Sequence, residues 1–284
     1  MLPEEYIQEK LNELKQPSKL QLESNDLSEN IFKAVMSKKF RKYSVNLEYI
    51  DHIKSAIKLN LEKNEPFKFT LVFGGYKLWS LDETPEVDWA ELFSIIYYTN
   101  WVKPICEIYK PGVWFDFFSD DVIVPQMNNI DQEDTKIYGE GFKGLLEFLK
   151  PYLPENLSIT FNRVGDLYEG QAAFQEDLEK NKKDISEKLE DGLPELTEEQ
   201  KATVEMNVKL KPGQDSDPHW REKVQLTHDA YAQSSKRRPY YRTNDKLMVI
   251  TRPIPNSIAV GTTKHSVMKF WIGAGVLEKN NESF

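Results

Sequence analysis

Two runs of residues limit what this chain can become. Phe67-Lys68-Phe69-Thr70-Leu71-Val72-Phe73 and Val113-Trp114-Phe115-Asp116-Phe117-Phe118 are apolar at nearly every position and rich in β-forming side chains. A strand with one face in water alternates apolar and polar residues, whereas a strand covered on both faces does not. Both runs therefore read as neighbouring parallel strands in the interior of a sheet. Between them, Trp89, Leu92, Phe93, Ile96 and Tyr97 recur at helical spacing over 86–99. A third run, Leu157-Ser158-Ile159-Thr160-Phe161, follows a helical stretch over 133–150 that Pro151 and Pro154 bring to an end. Strands that alternate with helices in this way form parallel sheets, because a parallel pair needs a crossover of a dozen or more residues. The expected fold is α/β: a Rossmann-like, mostly parallel sheet flanked by helices, with a C-terminal strand segment and an acidic helical insertion.

The remaining segments arrange around that core, and 1–284 reads as a single α/β domain. Residues 1–62 form an N-terminal helical segment, with helices over 3–15, 27–40 and 46–62, the last carrying the stripe Ile50, Ile53, Ile57 and Leu61. Residues 63–166 hold the core βαβ units. Residues 167–208 are polar and acidic and read as a helical pair divided at Pro194, exposed on the sheet or lying over it as a lid. Residues 209–284 read as a basic loop followed by short strands at Leu247–Thr251, Ser257–Val260 and Lys269–Ile272. These strands are expected at the far edge of the sheet, with connections short enough to allow antiparallel pairing.

Charge narrows the function classes. The formal net charge is −9, which repels phosphate backbones and anionic lipids, so neither nucleic acid nor membrane is an expected partner. No apolar run approaches the roughly 20 residues of a membrane-spanning helix, and the acidic start Leu2-Pro3-Glu4-Glu5 does not look like a secretory leader. The single cysteine, Cys106, excludes an intrachain disulfide and a thiolate zinc site, so a cytoplasmic location is expected. The four histidines lack metal-ligand spacing. No metal and no cofactor is expected.

In an open parallel sheet, ligands sit beyond the carboxyl ends of the strands. Three loops leave such ends here: Gly74-Gly75-Tyr76-Lys77, Ser119-Asp120-Asp121, and Asn162-Arg163-Val164-Gly165-Asp166. The glycine pair fits neither a Walker loop nor a dinucleotide fingerprint, yet its backbone N–H groups could approach a phosphate with Lys77 supplying charge. A desolvated lysine could also act as a base or form an imine. Adjacent Asp120 and Asp121 could hold a divalent metal against a diphosphate, or one of them could bind an amine or sugar hydroxyl. Each loop alone is equally a turn with solvated charges; the argument lies in their convergence. Ser234-Ser235-Lys236-Arg237-Arg238-Pro239-Tyr240-Tyr241-Arg242 is the densest positive cluster and suits a phosphate monoester, unless it is a solvated loop offsetting the acidic helices. His265, in a polar loop, is the best acid–base candidate among the histidines.

The stretch from Pro66 to Leu149 resembles the pyoverdine/dityrosine biosynthesis family, whose bacterial members include isocyanide synthases. In that family a strand leads into Phe-Pro-x-Lys-Ser-Pro-Asn, then a Pro-Asp-x-x-Glu helix, a Tyr-x-Pro-Gly turn and a strand ending in Ser-Asp-Gly. The corresponding residues are Phe73-Gly74-Gly75-Tyr76-Lys77, the Pro85–Glu91 run, Tyr109-Lys110-Pro111-Gly112 and Ser119-Asp120-Asp121. Tyr138 also has a counterpart. Ser-Pro-Asn is replaced by Leu78-Trp79-Ser80, the last glycine by Asp121, and a C-terminal Pro-Trp-His by Phe270-Trp271-Ile272. The resemblance implies a Rossmann-like transferase of secondary metabolism. Such an enzyme converts an amino acid's amine into an isonitrile with a carbon from ribulose 5-phosphate, next to a downstream iron- and 2-oxoglutarate-dependent oxygenase. It carries Lys77, Glu91 and Asp120 over as catalytic positions. Two other readings stand beside it: a metal-dependent nucleotide-sugar glycosyltransferase, and a non-catalytic binding protein that keeps the fold.

Overall fold

The computed structural model describes residues 3–20, 24–41, 43–73, 86–87, 89–250 and 256–260. Three helices open the chain: α1 (Pro3–Lys15), α2 (Leu27–Val35) and α3 (Leu47–Lys63). Asp26 and Asn46 cap α2 and α3 by accepting a backbone N–H from the first turn. Then come β1 (Phe67–Phe73), α4 (Trp89–Ile108), β2 (Val113–Ser119), the short α5 (Val124–Met127), α6 (Gln132–Leu149) and β3 (Leu157–Arg163). The acidic segment yields α7 (Gln171–Ser186) and α8 (Glu198–Asn207), with Pro194 between them as expected. Next are α9 (Trp220–Ala232), α10 (Arg237–Tyr241), β4 (Lys246–Ile250) and β5 (Ile258–Ala259).

The sheet order is β3-β2-β1-β4-β5, and every pairing is parallel. The expected β1–β2 neighbourhood and the α/β class hold. The antiparallel C-terminal edge does not: β4 runs parallel to β1 and lies inside the sheet, with β5 outside it. The error has two causes. Residues 164–245 contain α7, α8, α9 and α10, enough chain for a crossover to the other side of β1. Further, β5 pairs only with Val249 and Ile250 at the end of β4, so its connection has almost no distance to retrace. The segment read as a basic loop also contains α9, whose Trp220, Val224, Thr227, Ala230 and Tyr231 are buried at helical spacing. The strand expected at Lys269–Ile272 lies outside the described residues.

Register makes the two faces of the sheet unlike. One presents Phe67, Phe69, Leu71, Val113, Phe115, Phe117, Leu157, Phe161, Leu247 and Val249, all buried in one core with α1, α2, α3, α4 and α6. Each such side chain contributes about 1.5–3 kcal/mol by leaving water. The other face presents Lys68, Thr70, Trp114, Asp116, Phe118, Ser158, Thr160, Asn162, Lys246 and Met248. Its C-terminal end has an apolar cover: Phe118 joins Val122, Val164, Phe174, Leu178, Tyr231 and Tyr241 in a second cluster. The chain order reverses between β1 and β4, the crevice where ligands bind in sheets of this kind. Residues 74–85 and 251–255, which follow those two strands, lie outside the described residues.

Candidate active site

Beyond β2 the backbone turns at once, and Asp120 and Asp121 leave in different directions. Asp120 takes two hydrogen bonds from Arg237, Nε to Oδ1 at 2.7 Å and Nη2 to Oδ2 at 3.0 Å. The Tyr231 hydroxyl also donates to its Oδ1 at 2.6 Å. The Arg237 guanidinium lies 4.5 Å from the Tyr231 ring centroid and 5.0 Å from that of Tyr241, whose hydroxyl accepts from Nη1 at 3.0 Å. Burial alone would lower the pKa of Arg237, but the Asp120 carboxylate raises it, so the guanidinium stays charged. Burial, and after it Asp120, pushes the Tyr231 phenol far above its ordinary value, so it remains a donor. A guanidinium has five N–H donors. Three are engaged here, and two have no partner among the described residues.

Asp121 points into the body of the protein. Its Oδ2 accepts from Arg163 Nε at 2.9 Å and Nη2 at 2.7 Å, and its Oδ1 accepts the Gly165 N–H at 3.1 Å. Burial pushes this carboxyl up, against the pull of Arg163. A Cβ on Gly165 would stand 3.0 Å from Val122 and 3.2 Å from Asp121 Oδ2, so this turn closes tightly on the carboxylate. Asp121 and Arg163 therefore brace the ends of β2 and β3 against each other. The two carboxylates, expected as a possible metal pair, each hold an arginine instead. Among the described residues no group of three His, Cys, Asp or Glu side chains could hold a metal.

The Ser234–Arg242 cluster does meet the strand ends. It is split by what its members do. Arg237 is turned inward to Asp120, whereas Ser235, Lys236, Arg238 and Arg242 are exposed. Ser234 is buried, hydrogen-bonded to the Tyr168 hydroxyl, which also donates to Asp177 at 2.6 Å. Burial, with the Asp177 bond behind it, pushes the Tyr168 phenol up to about 12. The backbone N–H of Ser235 donates to the same Asp177 oxygen at 3.0 Å. The serines therefore anchor the start of α10 to α7.

Glu91, in the first turn of α4, is buried and accepts a hydrogen bond from the Tyr138 hydroxyl at 3.2 Å. The structure thus joins two positions that the resemblance had named separately. The Tyr109-Lys110-Pro111-Gly112 turn lies at the opposite end of the strands. Tyr109 donates to the carbonyls of Asn60 and Glu65, and Gly112 at φ +74° packs against the Asn156 backbone, so this motif is structural. Gly74, Gly75, Tyr76, Lys77 and His265 lie outside the described residues.

Three important residues were not singled out from sequence: Tyr231, Tyr240 and Asp116. Asp116 is fully buried in the middle of β2. It accepts from Thr160 at 2.7 Å and Asn162 at 2.6 Å through Oδ1, and from Tyr240 at 2.8 Å through Oδ2. Burial pushes its carboxyl up against these three bonds. The signal was legible: a lone acid within an apolar interior strand must find donors or become costly.

No model of a known protein family matches the chain, and no curated protein matches it. Among solved structures, the crystal structure of the PvcA protein from Pseudomonas aeruginosa is similar, with a TM-score of 0.55 and 15% sequence identity over 84% of this chain and 83% of that one. What this chain shares with PvcA is therefore its fold, an α/β Rossmann-like sheet, over most of the length of both.

Proposed function

We propose that the protein is a biosynthetic enzyme of the isocyanide synthase type, joining an amino acid's amine to a carbon of a pentose phosphate. The reading rests on the motif order from Pro66 to Leu149 and on the fold shared with PvcA. The observation that carries it is the Asp120–Arg237–Tyr231 group at the end of β2. It sets a carboxylate beside a charge-retaining guanidinium, two of whose N–H donors have no partner among the described residues. An amine and a phosphorylated sugar need those two chemistries. In this scheme the amine nitrogen adds to the pentose carbonyl carbon and water leaves as the C=N bond forms. Asp120 orients the amine, Arg237 and Lys77 hold the phosphate, and Glu91 is the further candidate for moving a proton. The glycosyltransferase reading gains less, because Asp120 and Asp121 each face an arginine and not each other.

The test is to incubate the protein with a panel of amino acids and isotope-labelled ribulose 5-phosphate and to analyse products by infrared and mass spectrometry. An isonitrile carrying the pentose label, formed equally well with a chelator present, is expected. Label-free products, or turnover that requires a divalent metal and a nucleotide sugar, would overturn the proposal. Tight ligand binding with no turnover would favour the non-catalytic reading.

A further inference from the structure

The two edges of the sheet are finished differently. On the β4 side the outward peptide groups are taken up. His52 Nε2 donates to the Lys246 carbonyl at 3.0 Å, and the Tyr49 hydroxyl accepts the Met248 N–H at 2.8 Å. β5 pairs with Val249 and Ile250, the Val260 N–H donates to the Ile250 carbonyl at 3.0 Å, and Arg41 bridges Val260 antiparallel. The β3 edge has no such cover among the described residues. The Val113 N–H donates to the Asn156 carbonyl at 3.0 Å, so Ser158, Thr160 and Asn162 turn their peptide groups to β2, and Leu157, Ile159 and Phe161 turn theirs outward. The Leu157 N–H donates to the Pro154 carbonyl at 2.9 Å. The Leu157 carbonyl and both peptide groups of Ile159 and of Phe161 have no hydrogen-bond partner among the described residues. Glu155 and Ser158 are exposed and Ile159 is half-buried, so water reaches this edge. A strand edge with free N–H and C=O groups is a template for another strand.

We infer that the β3 edge is the interface for a second copy of this chain, paired antiparallel about a two-fold axis through Ile159. The Ile159 peptide then exchanges both of its hydrogen bonds with its counterpart, and each Phe161 N–H meets the Leu157 carbonyl of the other copy. Leu157 faces Phe161 and Ser158 faces Thr160, apolar and hydroxyl pairs of the kind that stabilise neighbouring strands. An axis normal to the sheet leaves α6 of both copies on one side. α6 lies over β2 and β3 together, the Phe142 ring being 5.1 Å from that of Phe117 and 4.8 Å from that of Phe161. The two helices would thus stand two strand spacings apart, about 10 Å, the distance at which helices pack. A Cβ on Gly139 would stand 3.3 Å from Phe161, which puts the flank carrying Glu140, Lys143, Glu147 and Lys150 towards the open edge, and all four are exposed. With rises of about 1.5 Å per helical residue and about 3.3 Å per strand residue, Ile159 is level with residues 145–146 of α6. The axis therefore sets Lys143 opposite Glu147 and Glu140 opposite Lys150. Moved one residue on, to Thr160, it would bring Lys143 towards its own copy. Charge complementarity thus selects a second copy as the occupant and Ile159 as the centre. The inference is independent of the chemistry proposed above.

Sedimentation of the full chain over about 1–100 μM tests it, since one strand and one helix from each copy make a small interface. A dimer that grows with concentration is expected. Ile159→Pro removes an outward N–H and leaves the β2–β3 ladder intact, so the variant should stay monomeric. Lys143→Glu changes an exposed residue and keeps the test valid if the proline variant misfolds. Each contact occurs twice in a two-fold dimer, so this reversal should weaken association by about tenfold. Adding Glu147→Lys to it should restore association to within about threefold of the parent. A parent monomeric at every concentration would overturn the inference. So would a dimer indifferent to Ile159→Pro, or a double charge swap that associates no better than Lys143→Glu alone.

Discussion

Asp120 and Arg237 show how a candidate site residue can also be a structural one. Their side chains are 19% and 12% exposed, so either charge left alone would stay largely out of water. Removing one partner of such a pair costs about 3–5 kcal/mol when fully buried, and about 2–4 kcal/mol is reasonable at this exposure. Asp120→Ala and Arg237→Ala should each destabilise by that amount in urea unfolding. The double mutant should lose much less than the sum, since the second change removes a charge the first had stranded. Strict additivity would mean the pair is not coupled. Asp245 offers a pH test of a different kind. Burial would raise its carboxyl, but hydrogen bonds from Lys68 and Thr243, with the charge of Lys68, hold it at about 2. A carboxyl with a depressed folded pKa gives stability that is complete above its unfolded value of about 4 and fades as pH falls through about 2. After allowance for solvent screening, Asp245→Asn should cost about 1–2 kcal/mol at neutral pH and almost nothing below pH ~2. A pH-independent difference would show that the Lys68 contact contributes nothing electrostatic.

Among the elements, those with a strong local period were legible and those defined by distant partners were not. β1 and β2 announced themselves because Phe67–Phe73 and Val113–Phe118 are dense in apolar, β-forming residues, and the α3 stripe did so through Ile53 and Ile57, both buried. The helix expected over 86–99 runs on past Pro104 to Ile108. The amide of Asn156 then donates to the carbonyls of Cys106, Tyr109 and Lys110 at that end. The same Asn156 backbone fixes Gly112. A Cβ there would stand 1.9 Å from the Asn156 carbonyl oxygen, and its φ of +74° disfavours any side chain. Gly112→Ala should therefore destabilise by more than about 3 kcal/mol, through clash and backbone strain together. Gly144 on α6, where an added methyl would meet nothing within 4 Å, is the control, and Gly144→Ala should be neutral or stabilising by up to about 1 kcal/mol. Equal losses at both sites in thermal unfolding would refute the steric argument.

At the scale of the whole molecule, a parallel sheet delivers distant segments to one edge, and that is why sequence order alone could name the strand-end loops but not their pairings. Asp120 and Arg237 are far apart in sequence and meet only because α7, α8 and α9 carry the chain back over β2 before α10 begins. The expected phosphate anchors consequently divide into kinds with different responses. Lys77 follows β1 in sequence, outside the described residues, and is the anchor that the family resemblance implies. Arg238 is exposed on α10, and its attraction for a phosphate is screened by salt over about 8–10 Å. Arg237 is held charged by Asp120, with spare N–H donors. In calorimetric titrations with ribulose 5-phosphate, Lys77→Ala should weaken binding by at least about tenfold without altering the unfolding midpoint. Arg238→Ala should have an effect of less than about threefold that disappears as salt is raised, since an exposed charge contributes under about 1 kcal/mol. Arg237→Lys keeps a charge but loses the fork geometry, so it should weaken both binding and stability. If Arg238→Ala proved the most damaging of the three at high salt, the phosphate would have to sit on the outer surface of α10, and the strand ends would lose their claim to the chemistry.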